Sequence, residues 1–399
     1  MKEPLPTADP MLDPKVVPVS SDPNALPKGH DYFDLRRGLA NCRLKFEHAK
    51  RGRVAFLGGS ITQSSGWREL VMDYLQNKFP ETQFQFIGAG IGSLGSVPHA
   101  FRLERDVLSR GTVDLLFVEA AVNDSTNIPE HPGQMLRGME GVVRHARLAN
   151  PLADIIQMHF VMPEHMADYN NGKTPVAIAQ HEKVASAYGN PSLNLAREVT
   201  DRINAGEFSW ERDFIDLHPS PFGHQLYAGS IARMLDAAFE GPADNAPKPH
   251  PLPVPLDKKS YFRGRLGNIA GARIHHGFTL EDAWHPIDGR TTRPGFVDVP
   301  SLVASEPGAE FEFAFEGTVA GLFITSGPDA GQIEFSIDRA CWQTVETFTR
   351  WSSELHLPWA VLLDDERHPG LHTAHVRIAA AHHANSIGTA LRVFHFLSN

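Results

Sequence analysis

The sequence is poor in cysteine and in clustered positive charge. Among its 399 residues there are two cysteines, Cys42 and Cys341, which lie in regions of different composition. Two cysteines alone cannot form a structural zinc site, and we expect both to be unpaired and partly buried rather than joined in a disulfide. The 47 Asp and Glu residues outnumber the 37 Lys and Arg residues, the formal net charge is −10, and no basic block is present. A nucleic-acid partner is therefore not expected.

The sequence also has few long apolar runs. None approaches the roughly 20 residues that a membrane-spanning helix needs, and the start, Met1–Pro6, has no apolar signal region. We therefore expect no membrane association. The expected location is the cytoplasm, or the periplasm or the exterior if a leader was removed. The length favours two domains, and the sequence leaves the oligomeric state open.

The segment Arg53–Thr62 is an apolar run, rich in β-branched and aromatic residues, that ends in Gly58, Gly59 and Ser60. Such a run is typical of a buried strand in a parallel sheet, and the glycines allow a sharp turn after it. Open α/β sheets bind their ligands at the carboxyl ends of strands, so Ser60 is a candidate nucleophile. A serine after two glycines is also an ordinary helix cap or turn residue.

Strand and helix patterns alternate through the first part of the chain, whereas short alternating runs separated by turns follow a Pro-rich stretch. The first pattern predicts a parallel sheet with helices on both faces, and the second predicts an antiparallel β-sandwich. We accordingly divide the chain into an extended N-terminal segment with its lead-in (1–50), an α/β domain (51–240), a Pro-rich linker (241–258) and a jelly-roll-like β-sandwich (259–399).

Polar residues that can support ester hydrolysis follow the predicted strands of the α/β domain. Ser60, the turn at Gly92 and Ser93, and Asn123 each come directly after a strand, so they should share one edge of the sheet. His218 lies further along the chain with Asp216 nearby. A serine nucleophile, a histidine base, a carboxylate that orients the histidine, and N–H donors for the oxyanion are the parts that acyl transfer requires.

In their order these segments resemble the conserved blocks of the SGNH (GDSL-like) hydrolase family. Gly58–Thr62 is similar to the first block, Phe86–Gly95 to the second, Ala121–Asp124 to the third and Asp216–Pro219 to the fifth. The resemblance spans Gly52–Phe239 and implies a three-layer, flavodoxin-like α/β fold. It also implies that Ser60 is the nucleophile, that His218 is the general base, and that the Asn123 amide and the Ser60 N–H serve the oxyanion. No metal or organic cofactor is implied.

The sequence departs from the family pattern at two functional positions. Ser93, rather than Gly92, falls at the family's glycine, so both residues remain candidates for the second backbone donor. The family usually places its acid three residues before the histidine, where this chain has Ile215. We favour Asp216 as the acid, because its shorter separation from His218 needs less loop, and Asp213 is the alternative.

With its β-rich second part, the chain is also similar to acetyl esterases of plant cell-wall polysaccharides, in particular carbohydrate esterase family twenty. Gly327–Gly331 and Trp351–Trp359 carry this resemblance. It implies an acetylated oligo- or polysaccharide substrate, with xyloglucan or another hemicellulose favoured. Trp351 and Trp359 are candidates for stacking on sugar rings, although tryptophans also fill sandwich cores.

Two other functions stay open at this point. The first is a general short-chain acyl esterase or lipase-like enzyme, and the second is a catalytically inactive carbohydrate-binding protein. The adjacent pairs His275-His276 and His382-His383 point to opposite faces in an extended chain, which argues against a metal site within either pair.

Overall fold

A computed structural model describes residues 31–240 and 246–399 of the chain. Most of the predicted N-terminal segment and the first residues of the predicted linker lie outside these ranges. The α-helices are α1 Ala40–Leu44, α2 Ser60–Gln63, α3 Trp67–Lys78, α4 Ser96–Asp106, α5 Ala121–Asn127, α6 Pro132–Ala149, α7 Pro163–Asn170, α8 Val176–Tyr188, α9 Leu195–Asn204 and α10 Pro221–Glu240.

The strands are β1 Phe33–Asp34, β2 Arg51–Gly58, β3 Gln83–Gly90, β4 Leu115–Glu119, β5 Asp154–Met158, β6 Ser192–Leu193, β7 Arg265–Gly267, β8 Arg273–His276, β9 Thr279–Trp284, β10 Val299–Ala304, β11 Glu310–Glu316, β12 Ala320–Ser326, β13 Gln332–Ile337, β14 Gln343–Glu346, β15 Leu357–Asp364, β16 Leu371–Ile378 and β17 Leu391–Ser398. Short π-helices lie at Lys45–Ala49 and Trp210–Phe214.

The first domain is built on one sheet with the strand order β1-β6-β5-β4-β2-β3. Strands β2 to β6 pair in parallel and β1 adds an antiparallel edge. Counted from β2, the parallel strands follow the flavodoxin-like order. Strand β3 lies on one side of β2, and strands β4, β5 and β6 lie on the other side. Ligands bind beyond the carboxyl ends of the strands at this switch point, which here lies between β2 and β4.

Both faces of this sheet are covered, so the central strands carry apolar runs. Val54, Ala55, Phe56 and Leu57 of β2 are all buried. On one face Phe56 stacks on Phe117 with ring centroids 5.1 Å apart. The α/β architecture predicted from the alternating patterns is therefore confirmed, and the apolar runs of the central strands follow from burial on both sides.

The second domain is a two-sheet antiparallel β-sandwich, as predicted. One sheet has the order β15-β12-β17-β10-β9, with β7 paired to β17, and the other has the order β14-β13-β16-β11-β8. Every residue of β12 is buried. Leu322 and Ile324 belong to the sandwich core, whereas Phe323 belongs to a core shared with the first domain. The first of the two sheets is therefore packed between the other sheet and the α/β domain.

Polar contacts reinforce this junction. Arg137 of α6 lies 2.7 Å from Asp257 of the linker and 2.8 Å from Asp365 of the second domain. The described part of the linker lies along the α/β domain, where His250 contacts Asp154 at 2.7 Å and the Leu256 N–H donates to Glu140 at 2.6 Å. The segment predicted as a Pro-rich linker thus contacts the first domain at these positions.

Both cysteines are free, as predicted, but only one matches the expected burial, because Cys42 is buried and Cys341 is exposed. Among the described residues, no helix has the length and apolar character needed to cross a membrane.

Candidate active site

Ser60 is placed by a tight turn between β2 and α2. Gly59 caps α2, and its N–H donates to the Glu119 carboxylate at 2.6 Å, while the Thr62 hydroxyl donates to the same oxygen at 2.9 Å. A Cβ atom at Gly58 would overlap both Glu119 and Thr62. The glycine at position 58 therefore leaves room for the buried carboxylate that fixes the turn.

Glu119 is the last residue of β4 and is fully buried. Burial raises its pKa to about 7, although hydrogen bonds from Gly59 and Thr62 act in the opposite direction. The sequence interpretation missed this residue. The signal that could have found it is a carboxylate at the end of the otherwise apolar strand β4. A buried carboxylate needs hydrogen-bond donors, and the turn after β2 supplies them.

His218 lies beside the serine, with its Nε2 atom 2.8 Å from the Ser60 hydroxyl oxygen. The loop that carries His218 follows the π-helix Trp210–Phe214, where Ile215 has a φ of 76°. A β-branched residue in this left-handed region is strained, and such strain persists only where the surroundings enforce it. The hydrogen-bond distance is what proton transfer from a serine to an imidazole requires.

The two candidate acids differ in where their carboxylates lie. The Asp216 carboxylate is 3.8 Å from His218 Nδ1, on the side of the ring away from Ser60. The Asp213 carboxylate accepts from the Ser209 N–H at 2.7 Å and pairs with Arg212 at 2.7 Å. The geometry thus brings Asp216 toward the histidine and engages Asp213 elsewhere.

The candidate oxyanion donors converge on the same edge of the sheet. The Asn123 amide packs against Gly59, where a Cβ atom would overlap its oxygen. The Gly92 N–H donates to Gln63 at 2.7 Å and is therefore occupied. Ser93, by contrast, has a φ of 71°, and its N–H has no acceptor among the described residues. Of the two residues in this turn, Ser93 is the better placed donor.

Asp124, the residue after Asn123, links α5 to α4 and α8. Its buried carboxylate accepts from the Ser96 N–H at 2.8 Å and contacts His181 at 2.9 Å. Arg102 is fully buried and pairs with Asp106 at 2.9 Å. It also donates to the carbonyl of Gly58 at 3.1 Å. The turns that carry the site are therefore anchored by buried charged groups.

The second domain lies next to the turn that carries Gly92 and Ser93. A cavity of about 290 Å³ lies between the domains and is lined by Ser93, Asn127 and, from β15, Trp359. The Arg293 side chain extends to Gly92, where Nε lies 2.8 Å from the place a Cβ atom would take. Partial burial lowers the pKa of Arg293. Sequence reasoning missed this arginine, because nothing local indicates that its loop crosses to the other domain.

The two predicted sugar contacts fall in different places. Trp359 is half-buried and lines the interdomain cavity. Trp351 is outside that cavity, and the Arg350 guanidinium lies 4.6 Å from its ring centroid.

Residues 56–226 match the model of the GDSL-like Lipase/Acylhydrolase family. The α/β domain is therefore a GDSL-like SGNH hydrolase domain, and the protein is a carboxylic ester hydrolase.

Solved structures share the two-domain architecture. The chain is similar to a two-domain esterase active on acetylated mannans, with 23% identity over 92% of this chain and 97% of that one and a TM-score of 0.74. It is also similar to such an esterase co-crystallised with mannopentaose, with 24% identity over 92% and 98% of the two chains and a TM-score of 0.70. At these identities the likeness is one of fold. Comparison with curated protein sequences gives no match.

Proposed function

We propose that this protein is a serine acetylesterase that removes O-acetyl groups from plant cell-wall polysaccharides or their oligosaccharides. The observation that carries the proposal is the 2.8 Å contact between His218 Nε2 and the Ser60 hydroxyl, at the edge of the sheet where Ser93 leaves an N–H unoccupied. The site is open, since about half of the His218 side chain is exposed. An open site suits an acetyl group carried on a bulky polymer.

The proposed reaction proceeds by acyl transfer. Ser60 attacks the acetyl carbonyl while His218 accepts the hydroxyl proton, and Asp216 stabilises the charged imidazole. The N–H groups of Ser60 and Ser93, with the Asn123 amide, hold the oxyanion. His218 then protonates the departing sugar oxygen, which leaves as a hydroxyl. The neutral His218 next accepts a proton from a water molecule, which attacks the acetyl-enzyme and releases acetate.

The substrate class rests on two supports. The resemblance to carbohydrate esterase family twenty favours acetylated xyloglucan, whereas the structural neighbours that span both domains carry the description of acetylated-mannan esterases. Both are hemicelluloses, and we propose a hemicellulose acetyl group as the target. Trp359 is our candidate for stacking on a sugar ring, because it lines the cavity that includes the oxyanion donor Ser93.

The test is acetate release from acetylated xyloglucan, mannan, xylan and pectin fragments by the wild type and by Ser60→Ala. We expect release from a hemicellulose that disappears in the variant. If the wild type cleaves p-nitrophenyl acetate but no glycan, the polysaccharide proposal fails and a short-chain acyl esterase remains. If neither substrate reacts and Ser60 resists a serine-directed phosphonate, the protein is an inactive carbohydrate-binding protein.

The Asn123 role is tested separately. Loss of one oxyanion donor typically lowers kcat by about 10²–10³-fold, and we expect Asn123→Ala to do so while the far-UV circular dichroism stays unchanged. A kcat close to that of the wild type would remove Asn123 from the site.

A further inference from the structure

A cluster of histidine and glutamate side chains lies on the outer face of the β-sandwich. Its members come from three adjacent strands: His275 from β8, Glu310 and Glu312 from β11, and His375 from β16. Their donor atoms lie close together, since one atom each from His275, Glu310 and His375 falls within 4.8 Å of the others. None of these residues belongs to the candidate active site.

Strand register explains why these side chains share a face. Glu310 and Glu312 alternate with the buried Phe311, so both carboxylates point away from the sandwich core. His375 pairs directly with Glu312, and a register shift between Glu310 and Phe311 lies opposite His275. One strand alone predicts no metal site within the His275-His276 pair, whereas the neighbouring strands β11 and β16 supply partners for His275.

Glu312 orients both imidazoles. Its Oε2 atom is 3.2 Å from His275 Nε2 and 3.0 Å from His375 Nε2. The two rings are nearly parallel, with centroids 6.0 Å apart. A neutral histidine that donates from Nε2 has an unprotonated Nδ1, which can bind a metal. A carboxylate that holds the far nitrogen of a histidine is the usual partner of a zinc-ligating imidazole.

The local charge also favours a dication. Two carboxylates face this cluster, and the Arg273 guanidinium lies 3.1 Å from that of Glu312. Arg377 pairs with Glu310 in the strand register, but its guanidinium is engaged by Glu334 at 2.6 Å. Counting the two carboxylates and Arg273, and with both histidines neutral, one negative charge remains. Paired imidazole nitrogens and a carboxylate oxygen are the donors that Zn²⁺ prefers, whereas Ca²⁺ and Mg²⁺ take oxygen ligands.

We propose that His275, Glu310 and His375 form a Zn²⁺ site, with Glu312 positioning the two histidines and water completing the coordination. Ligands about 2.0–2.2 Å from zinc in a tetrahedron are roughly 3.3 Å apart, so modest side-chain rotation closes the cluster. Strand β8 is the edge of its sheet, and all of its residues are exposed. A cation that joins β8 to β11 and β16 would therefore fasten a strand with little buried apolar surface.

The experiment titrates the full-length protein with ZnCl2 and, separately, with CaCl2 by isothermal calorimetry. We expect a zinc site in the wild type that is at least tenfold tighter than in His375→Ala and Glu310→Gln, and no calcium binding at that site. Glu312→Gln should weaken zinc about 10–100-fold, as loss of a supporting partner does. His276→Ala, on the same strand but outside the donor set, is the matched control and should bind zinc normally.

Thermal unfolding gives an independent readout. Saturating Zn²⁺ should raise the Tm of the wild type and of His276→Ala by several degrees and leave that of His275→Ala unchanged. Because Glu310 is at the surface, Glu310→Gln keeps the test valid if a histidine variant fails to fold. Equal zinc affinity in the wild type and Glu310→Gln would overturn the proposal. So would zinc binding that inhibits p-nitrophenyl acetate hydrolysis equally in both, because the ion would then sit at His218.

Discussion

At the scale of single residues, we propose Asp216 as the acid that serves His218, because of where the two candidate carboxylates lie. Asp216 is near Nδ1, whereas Asp213 is held by Ser209 and Arg212. Loss of a triad aspartate lowers kcat by up to about 10⁴-fold. Because Asp216 is 3.8 Å from the ring and largely exposed, we expect Asp216→Asn to lower kcat by roughly 10²-fold or more. Asp213→Asn is the matched control and should keep nearly normal kcat. A larger loss in Asp213→Asn would reverse the assignment.

Ser93 offers a second prediction at this scale. Its φ of 71° is a conformation that glycine adopts without strain, and the family carries glycine there. If the backbone N–H is the functional group, Ser93→Gly should leave kcat within about twofold, because glycine keeps the donor and fits the turn. Steady-state kinetics with p-nitrophenyl acetate measures this, and Ser125→Gly, a serine of α5 in the same domain, controls for loss of a hydroxyl. A large loss of kcat would assign the role to the Ser93 side chain.

At the scale of elements, the buried Glu119 between β4 and the β2–α2 turn makes the free energy of unfolding depend on pH. Its pKa is about 7 in the folded protein against an ordinary value near 4.5. The folded state therefore binds more protons between these values, and the free energy of unfolding falls as pH rises through that range. We expect Glu119→Gln, which keeps an acceptor for Gly59, to flatten this dependence by roughly 3 kcal/mol between pH 4 and pH 8. Urea unfolding across this range is the measurement.

The same experiment contains its own control, because at pH 4 the wild-type carboxyl is neutral and resembles the amide. The two proteins should then have similar stability at pH 4 and diverge above pH 5. If the free energies of unfolding of the two proteins stayed a constant distance apart over the whole pH range, Glu119 would not have the raised pKa on which the prediction depends.

Elements were predictable from the sequence where burial made their patterns regular. Apolar residues at helical spacing over 67–79, followed by Pro80, predict a helix, and α3 is observed as Trp67–Lys78. Strands β8 and β9 were not predicted, since their residues are mostly exposed and carry no apolar alternation. Ser60, Asn123 and His218 could be singled out because each stands in a recognisable block. Arg293 could not, because its place depends on how the two domains pack.

At the scale of the whole molecule, a histidine between the two domains makes the stability of the folded protein depend on pH. His395 of β17 lies 2.9 Å from Arg105 of α4. Partial burial and the nearby arginine lower its pKa to about 4 from an ordinary 6.5. Because the unfolded state then binds more protons, the stability that neutral His395 contributes is present above pH 6.5 and is lost as pH falls toward 4.

We expect His395→Gln, which retains an acceptor for Arg105, to lose less Tm than the wild type between pH 6.5 and pH 4.5. Differential scanning calorimetry over this range checks the prediction. The exposed His276→Gln serves as the control and should follow the wild type. Identical acid sensitivity of all three proteins would assign the loss to other buried histidines.

The burial of β12 on both faces limits how this protein can be taken apart. One face closes the sandwich, and the other face, through Phe323, completes a layer begun by the α/β domain. Truncating the chain after α10 would expose the apolar surface of the α/β domain that β12 covers. Transferring the sandwich to another enzyme would likewise expose the apolar face of its first sheet. Each domain therefore depends on the other to bury its apolar surface, and engineering of either must keep the interface between them.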